Sequence, residues 1–387
     1  MVETAQDYEL WYSPDWCDWR WRIHGCTDSN IWQGFYLAHS VFTALLFVLG
    51  AWLCYKKVYQ ALWKQKLSLL NVVDGGLKPR PVEALIFGTT IHILGRFIHT
   101  TKILVGEYPT HALGEFSHEW PWEFLLWGGN LFVIGIIYSV PKTYLNNRGS
   151  VSNTFTISKV RLPSPQAINV IYTVLALVPG ILLPLFAILD GHMRDAGQYA
   201  NAVIFNRLHY YQWLFCCVLP LVILVYFGTK MVSILNANME DVQDAGQNAH
   251  LKASIRRVVI NIMAIAILTA CFAVVVGSYA TWRVQIHTTR WLSVTFAFLW
   301  IFTSPLLLAP IYVVSAFNVI MSERIATHPS AASLWPKAKP MKGVSTTMDI
   351  TATAARPLES TLSRPFIQSR VPGTEGPTMG SFQNDCE

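Results

Sequence analysis

The stretch HILGRFIH, residues 92–99, sets two histidines and an arginine inside an otherwise lipid-soluble run. His92, Arg96 and His99 are spaced four and then three residues apart, so a helix carries all three on one face. A charge near the bilayer midplane costs a few kcal/mol, which obliges Arg96 to face a partner or a cavity rather than lipid. Further polar side chains gather toward the same end of neighbouring apolar segments: His39, Glu123 with His118 and Glu119 just ahead of it, Asp190 with His192, His209 with Gln212, and His287. Such a set describes either a wet vestibule that takes a ligand or interface residues reaching for headgroups. On the vestibule reading, the pocket is lined by His39, His92, Arg96, His99, Glu123, Asp190, His209 and Gln212. Glu123 and Asp190 are the carboxylates nearest Arg96 in depth, and an ion pair between Arg96 and Glu123 is expected.

The chemistry open to these residues is narrow. An intramembrane zinc hydrolase needs a histidine pair on its last helix, and RWLSVTFAFLWIFTSPLLLAPIYVV has none. Arg96 between His92 and His99 repels a cation, so no metal site is expected there. A retinal Schiff base needs a lysine in that same last segment, and none is present. Asn130 and Asn169 are the best polar residues toward the far end of the spans, too few for a channel or transporter path. The expectation is a protein that is not an enzyme and carries no cofactor.

The elements that position these residues follow from composition. The chain has 387 residues, 52% hydrophobic and only 13% charged, against about 25% charged in soluble domains. Its net charge of +6 is dispersed between apolar runs, which points away from nucleic acid and toward a lipid bilayer. Windows of about 20 apolar residues mark seven spans near 31–55, 82–105, 120–140, 166–189, 208–235, 255–280 and 291–320. The fold class expected is an all-α membrane bundle of seven transmembrane helices over 31–321, with kinks at Pro179 and Pro184. Basic residues favour the loops after spans one, three and five by roughly two to one, which places the N-terminus outside. Residues 322–387 are rich in Ser, Thr and Pro and read as a disordered cytoplasmic tail.

Residues 1–30 hold WYSPDWCDWRWRIHGC and lack the apolar core of a cleavable signal, so the first span is expected to act as signal anchor. Cys17 and Cys26 are candidates for a disulfide on the oxidising side. The tryptophans around them form either a stapled aromatic cap over the bundle mouth or part of the interfacial belt.

In its seven helices, outward N-terminus, short basic inner loops and Ser/Thr-rich tail, the chain resembles a G-protein-coupled-receptor-type protein over roughly residues 31–320. It lacks the Asp-Arg-Tyr-type triplet after span three, and APIYVV keeps Pro310 and Tyr312 without the Asn-Pro-x-x-Tyr pattern. The arginine in GRF of span two is also similar to the plant tobamovirus-multiplication seven-helix family. The resemblance implies a receptor-like sensor of an outer small-molecule or peptide ligand, coupled to a heterotrimeric G protein and sited in the plasma membrane. The alternative is a non-signalling scaffold or trafficking factor on intracellular membranes.

Overall fold

Helix length follows the bilayer rather than local propensity: spans rich in Val, Ile and Phe stay helical because lipid offers the backbone no other partner. The computed structural model describes residues 17–64, 69–73, 76–139, 164–240 and 245–327. Its helices are α1 (Ser29–Leu53), α2 (Pro81–Val105), α3 (His111–Ser139), α4 (Pro165–Asp195), α5 (Tyr199–Glu240), α6 (Ala245–Thr288) and α7 (Arg290–Thr327). A π-helical stretch, Cys54–Lys64, extends α1, and strands β1 (Leu70–Val73) and β2 (Gly76–Pro79) pair antiparallel with Leu70 opposite Pro79. Among the described residues, seven helices are long and apolar enough to cross a membrane. The chain is a multi-pass integral membrane protein.

Each helix packs on the next, and α7 returns to α1, closing a ring with α3 reaching across to α5. The distribution of side chains is the reverse of a soluble core. Leu45 and Val274 are 66% and 69% exposed, whereas Arg20, Arg96 and Glu115 are 0% exposed. Apolar surface costs nothing against lipid, and polar groups go inward to find partners. Small residues set the closest approach. A Cβ on Gly88 would meet the Phe124 carbonyl oxygen at 2.6 Å and Gly128 Cα at 2.9 Å, so α2 and α3 cross backbone to backbone there.

Pro179 and Pro184 lie inside an α4 that continues as one helix. Pro179 has no N–H for the carbonyl of Leu175, four residues earlier. Asn130 on α3 supplies the missing donor, with its Nδ2 donating to Leu175 O at 2.6 Å, and Trp127 Nε1 donates to Ala176 O at 3.0 Å. Neighbouring side chains thus satisfy the carbonyl that proline frees.

Several helices begin or end beyond the apolar windows. α3 starts at His111 rather than near 120, α5 at Tyr199 rather than 208, and α6 runs to Thr288, so that His287 closes the sixth span. The extra turns carry Glu115 and Asn206, which hydrogen-bond inside the bundle, and Arg283, whose guanidinium stands 3.8 Å from Asp18 and 3.9 Å from Asp190. The boundary at 322 falls within α7, which continues to Thr327; the rest of the expected tail lies outside the described residues, as do Trp11 and Trp16.

Candidate functional site

The end of the bundle where α1 begins is closed by residues 17–28. Cys17 and Cys26 are disulfide-bonded with their Cα atoms 5.3 Å apart. The loop turns at Gly25, φ 67°, and Asp28, φ 66°, both left-handed; a glycine takes that conformation without a Cβ clash. Asp28 also pairs with Arg290 at 2.6 Å, tying the start of α1 to that of α7. Trp19 and Trp21 are both buried, and Trp21 meets His111 at the start of α3 at 4.8 Å. Trp19 stacks on His287 at 5.6 Å and meets the edges of Tyr279 and Trp300, each at 6.2 Å. Tyr36 on α1 donates its hydroxyl hydrogen to the Trp19 carbonyl. This is a cap that enters the bundle.

Arg20 is the centre of its attachment. Its guanidinium forks onto Asp18 through Nε at 3.0 Å and Nη2 at 2.7 Å, and onto Glu115 of α3 through Nη1 at 3.0 Å and Nη2 at 2.8 Å. Nη1 also donates to the Tyr210 hydroxyl of α5 at 2.7 Å. Glu115 is shared with Arg194 of α4 at 2.9 Å, Arg194 pairs with Asp190, and Asn206 donates to Asp190 at 2.8 Å. Arg283 of α6 stands 3.8 Å from Asp18 and 3.9 Å from Asp190, with its guanidinium 5.4 Å over the Tyr279 ring. Three carboxylates and three guanidinium groups thereby form one buried layer joining the cap to α3, α4, α5 and α6. Burial alone pushes the Asp18 carboxyl up, but Arg20, His287 and Arg283 outweigh it and hold that group below the usual carboxylate range. Burial likewise opposes the charge on Arg20, and Asp18 with Glu115 raises its pKa above the ordinary value.

Beneath this layer lie the imidazoles. His99 meets the Arg20 carbonyl through Nε2 at 2.9 Å, and the Tyr108 and Ser117 hydroxyls through Nδ1 at 3.1 and 3.2 Å. His118 receives the indole hydrogen of Trp300 on Nε2 at 3.0 Å. Arg96 lies 5.0 Å over the Trp122 ring, with Nη1 3.5 Å from His118 Nδ1. His92 bridges the Pro121 carbonyl at 2.9 Å and Ser304 at 3.1 Å; His39 meets Thr100 at 2.9 Å. His209 Nε2 stands 3.2 Å from Glu119 Oε2, which also accepts from Trp213 Nε1 at 2.8 Å.

The expected residues therefore divide. Arg96 and His99 meet around His118, Asp190 belongs to the ion layer, His39 and His92 bind between helices, His209 joins Glu119, and Gln212 is half-buried on α5. The expected pair of Arg96 and Glu123 is not formed. Among the described residues, neither Glu123 oxygen has a hydrogen-bond partner, though both are buried, and no ion pair joins Glu123 to Arg96. Trp122, beside Glu123 on the helix, turns its ring to Arg96 instead. Asp18, Arg20, Glu115, Arg194 and Arg283 are the residues that sequence reasoning missed, although Glu115, Glu119 and Glu123 form a visible i, i+4, i+8 stripe on α3.

Past Trp122 the interior turns mainly apolar. A cavity of about 80 Å³ is lined by Trp122, Asn130, Trp213, Cys216, Phe272 and Leu308 among others, and none of the expected pocket residues borders it. No family model, curated protein or solved structure matches this chain.

Proposed function

We propose that this chain is a receptor-like seven-helix protein with its N-terminus outside, which senses an outer-side ligand through its stapled cap and acts on cytoplasmic partners of the heterotrimeric G-protein class. The observation that supports this reading is the reach of one side chain: Arg20, on the cap, touches α3 and α5 directly, and its partner Glu115 continues to Arg194 on α4. A small molecule or peptide that competes for Arg20, Asp18 or Glu115 would release several helices at once. Buried ionic groups add little to stability over an apolar core, and a switch is their best-attested use. The basic loops after spans one, three and five, with the Ser/Thr-rich tail, are the surfaces for cytoplasmic partners, and the plasma membrane is the site in this reading.

The test is nucleotide exchange on a mixture of heterotrimeric G proteins by protein in lipid nanodiscs. Arg20→Met, which frees the cap, should raise exchange several-fold over the unaltered chain. Equal exchange from both, at the rate of empty nanodiscs, would reject G-protein coupling. The scaffold reading has an observation of its own in its favour: Trp19 and Arg20 already fill the mouth of the bundle, and both are fully buried. It predicts no exchange and residence on intracellular membranes.

A further inference from the structure

Arg96 is fully buried, yet Nε and Nη2 of its guanidinium have no hydrogen-bond partner among the described residues. Its remaining nitrogen, Nη1, has one polar contact among the described residues, His118 Nδ1 at 3.5 Å. The other contacts of that ring fix its protonation. An indole N–H only donates, so the 3.0 Å contact from Trp300 Nε1 makes His118 Nε2 an acceptor. Neutral His118 then carries its hydrogen on Nδ1. The nitrogen that faces Arg96 is therefore a donor, as it would also be in the protonated ring.

His99 cannot absorb that hydrogen. Its Nε2 lies 3.4 Å from His118 Nδ1 but 2.9 Å from the Arg20 carbonyl, an obligate acceptor, so Nε2 itself carries hydrogen. The Tyr108 and Ser117 hydroxyls hold the other His99 nitrogen. Glu119 is a carboxylate within electrostatic reach of Arg96, but its Oε2 is taken by Trp213 and stands beside His209, and it forms no ion pair with Arg96 among the described residues. Arg96 Nη1 and the Nδ1–H of His118 are thus two donors facing each other across 3.5 Å in the buried interior, beside the Trp122 face on which Arg96 lies; Glu119 Oε1 and both Glu123 oxygens are buried without a hydrogen-bond partner among the described residues.

We propose that Arg96 and His118 bind a small monovalent anion, of halide or formate size, within the bundle. Such a ligand only accepts hydrogen bonds, neutralises the guanidinium, and needs no donor that the site lacks. A water molecule is the competing occupant, since it would bridge Arg96 to Glu119 Oε1 while leaving the charge as it is. Trp300 acts as a positioning residue, because its indole fixes the hydrogen of His118 on the side that faces Arg96. The site stands whether or not the cap transmits a signal.

The experiment is thermal unfolding of the full chain, purified without halide and then titrated with sodium chloride, formate or gluconate at constant ionic strength. Chloride or formate should raise the melting temperature along a saturating curve, as a ligand of the folded state does, and gluconate should not. Arg96→Gln should abolish the difference. Trp300→Phe, which keeps the aromatic packing but frees His118 to accept from Arg96, should weaken the apparent affinity roughly tenfold. Identical curves in all three salts would show that water fills the site and would overturn the proposal. So would an anion effect that is unchanged in Trp300→Phe, which decides the matter even where Arg96→Gln does not fold.

Discussion

Removing Arg20 tests the cap most directly. Arg20→Met keeps the length of the aliphatic stem but deletes both forks, four N–H···O contacts to Asp18 and Glu115, and the bond to Tyr210. Stranding a buried charge costs about 3–5 kcal/mol. Each acid keeps a second cation, Glu115 with Arg194 at 2.9 Å and Asp18 with Arg283 at 3.8 Å. The loss should therefore fall at the lower end, about 3 kcal/mol. Arg20→Lys should recover little of it, because an ammonium cannot fork two carboxylates at once. The measurement is denaturation in mixed micelles, followed by the near-ultraviolet signal of the aromatic cluster around Trp19 and Trp300. A double-mutant cycle with Glu115→Gln isolates the pair, and a coupling of about 1–3 kcal/mol is expected. Effects that add to within about 0.5 kcal/mol would refute the claim that Arg20 holds the cap through Glu115.

Other consequences are as specific. Replacing Cys17 and Cys26 by alanine should loosen residues 17–28 by about 2–3 kcal/mol while the bundle keeps its melting temperature; limited proteolysis on either side of the cap reads this, and an unchanged cleavage rate counts against the staple. Asn130→Ala strands the Leu175 carbonyl freed by Pro179 and should cost about 1–3 kcal/mol, whereas Asn130→Ala with Pro179→Ala should restore most of it. Asp18 has a lowered pKa in the folded chain, so its contribution is complete above the unfolded value of about 3.9 and is lost only as pH falls through the lower folded value. Cap protection against amide exchange attributable to Asp18 should then be flat from neutral pH to about pH 5; a decline already at pH 6 would contradict it. Gly88→Leu should break the α2–α3 crossing, at 1–3 kcal/mol or more, roughly, with Gly88→Ala already measurable.

The seven spans were legible because a bilayer imposes one rule on every segment: about 20 apolar residues, helical throughout. The same rule hid the ends of α3, α5 and α6. Glu115, Asn206 and Arg283 look like water-facing residues in a hydropathy window, yet they are neutralised or hydrogen-bonded by side chains from distant parts of the chain. Depth was legible and direction was not. Arg96 and Glu123 lie at comparable depth, but successive residues on a helix point about 100° apart. Glu115, Glu119 and Glu123 share one stripe of α3 that turns toward α5, where Glu119 meets Trp213 and His209. Trp122 lies one step around the helix and faces α2, so it is the indole, not the carboxylate, that Arg96 meets. The fork geometry of Arg20 was beyond any spacing argument, because Asp18 and Glu115 are brought together only when the cap folds into the ring. Three of the basic residues at the cap end, Arg20, Arg194 and Arg283, dilute the charge bias from which an outside N-terminus is expected. All three are buried against Asp18, Glu115 or Asp190, so their placement answers to the carboxylates of the ion layer and not to the rule for loops.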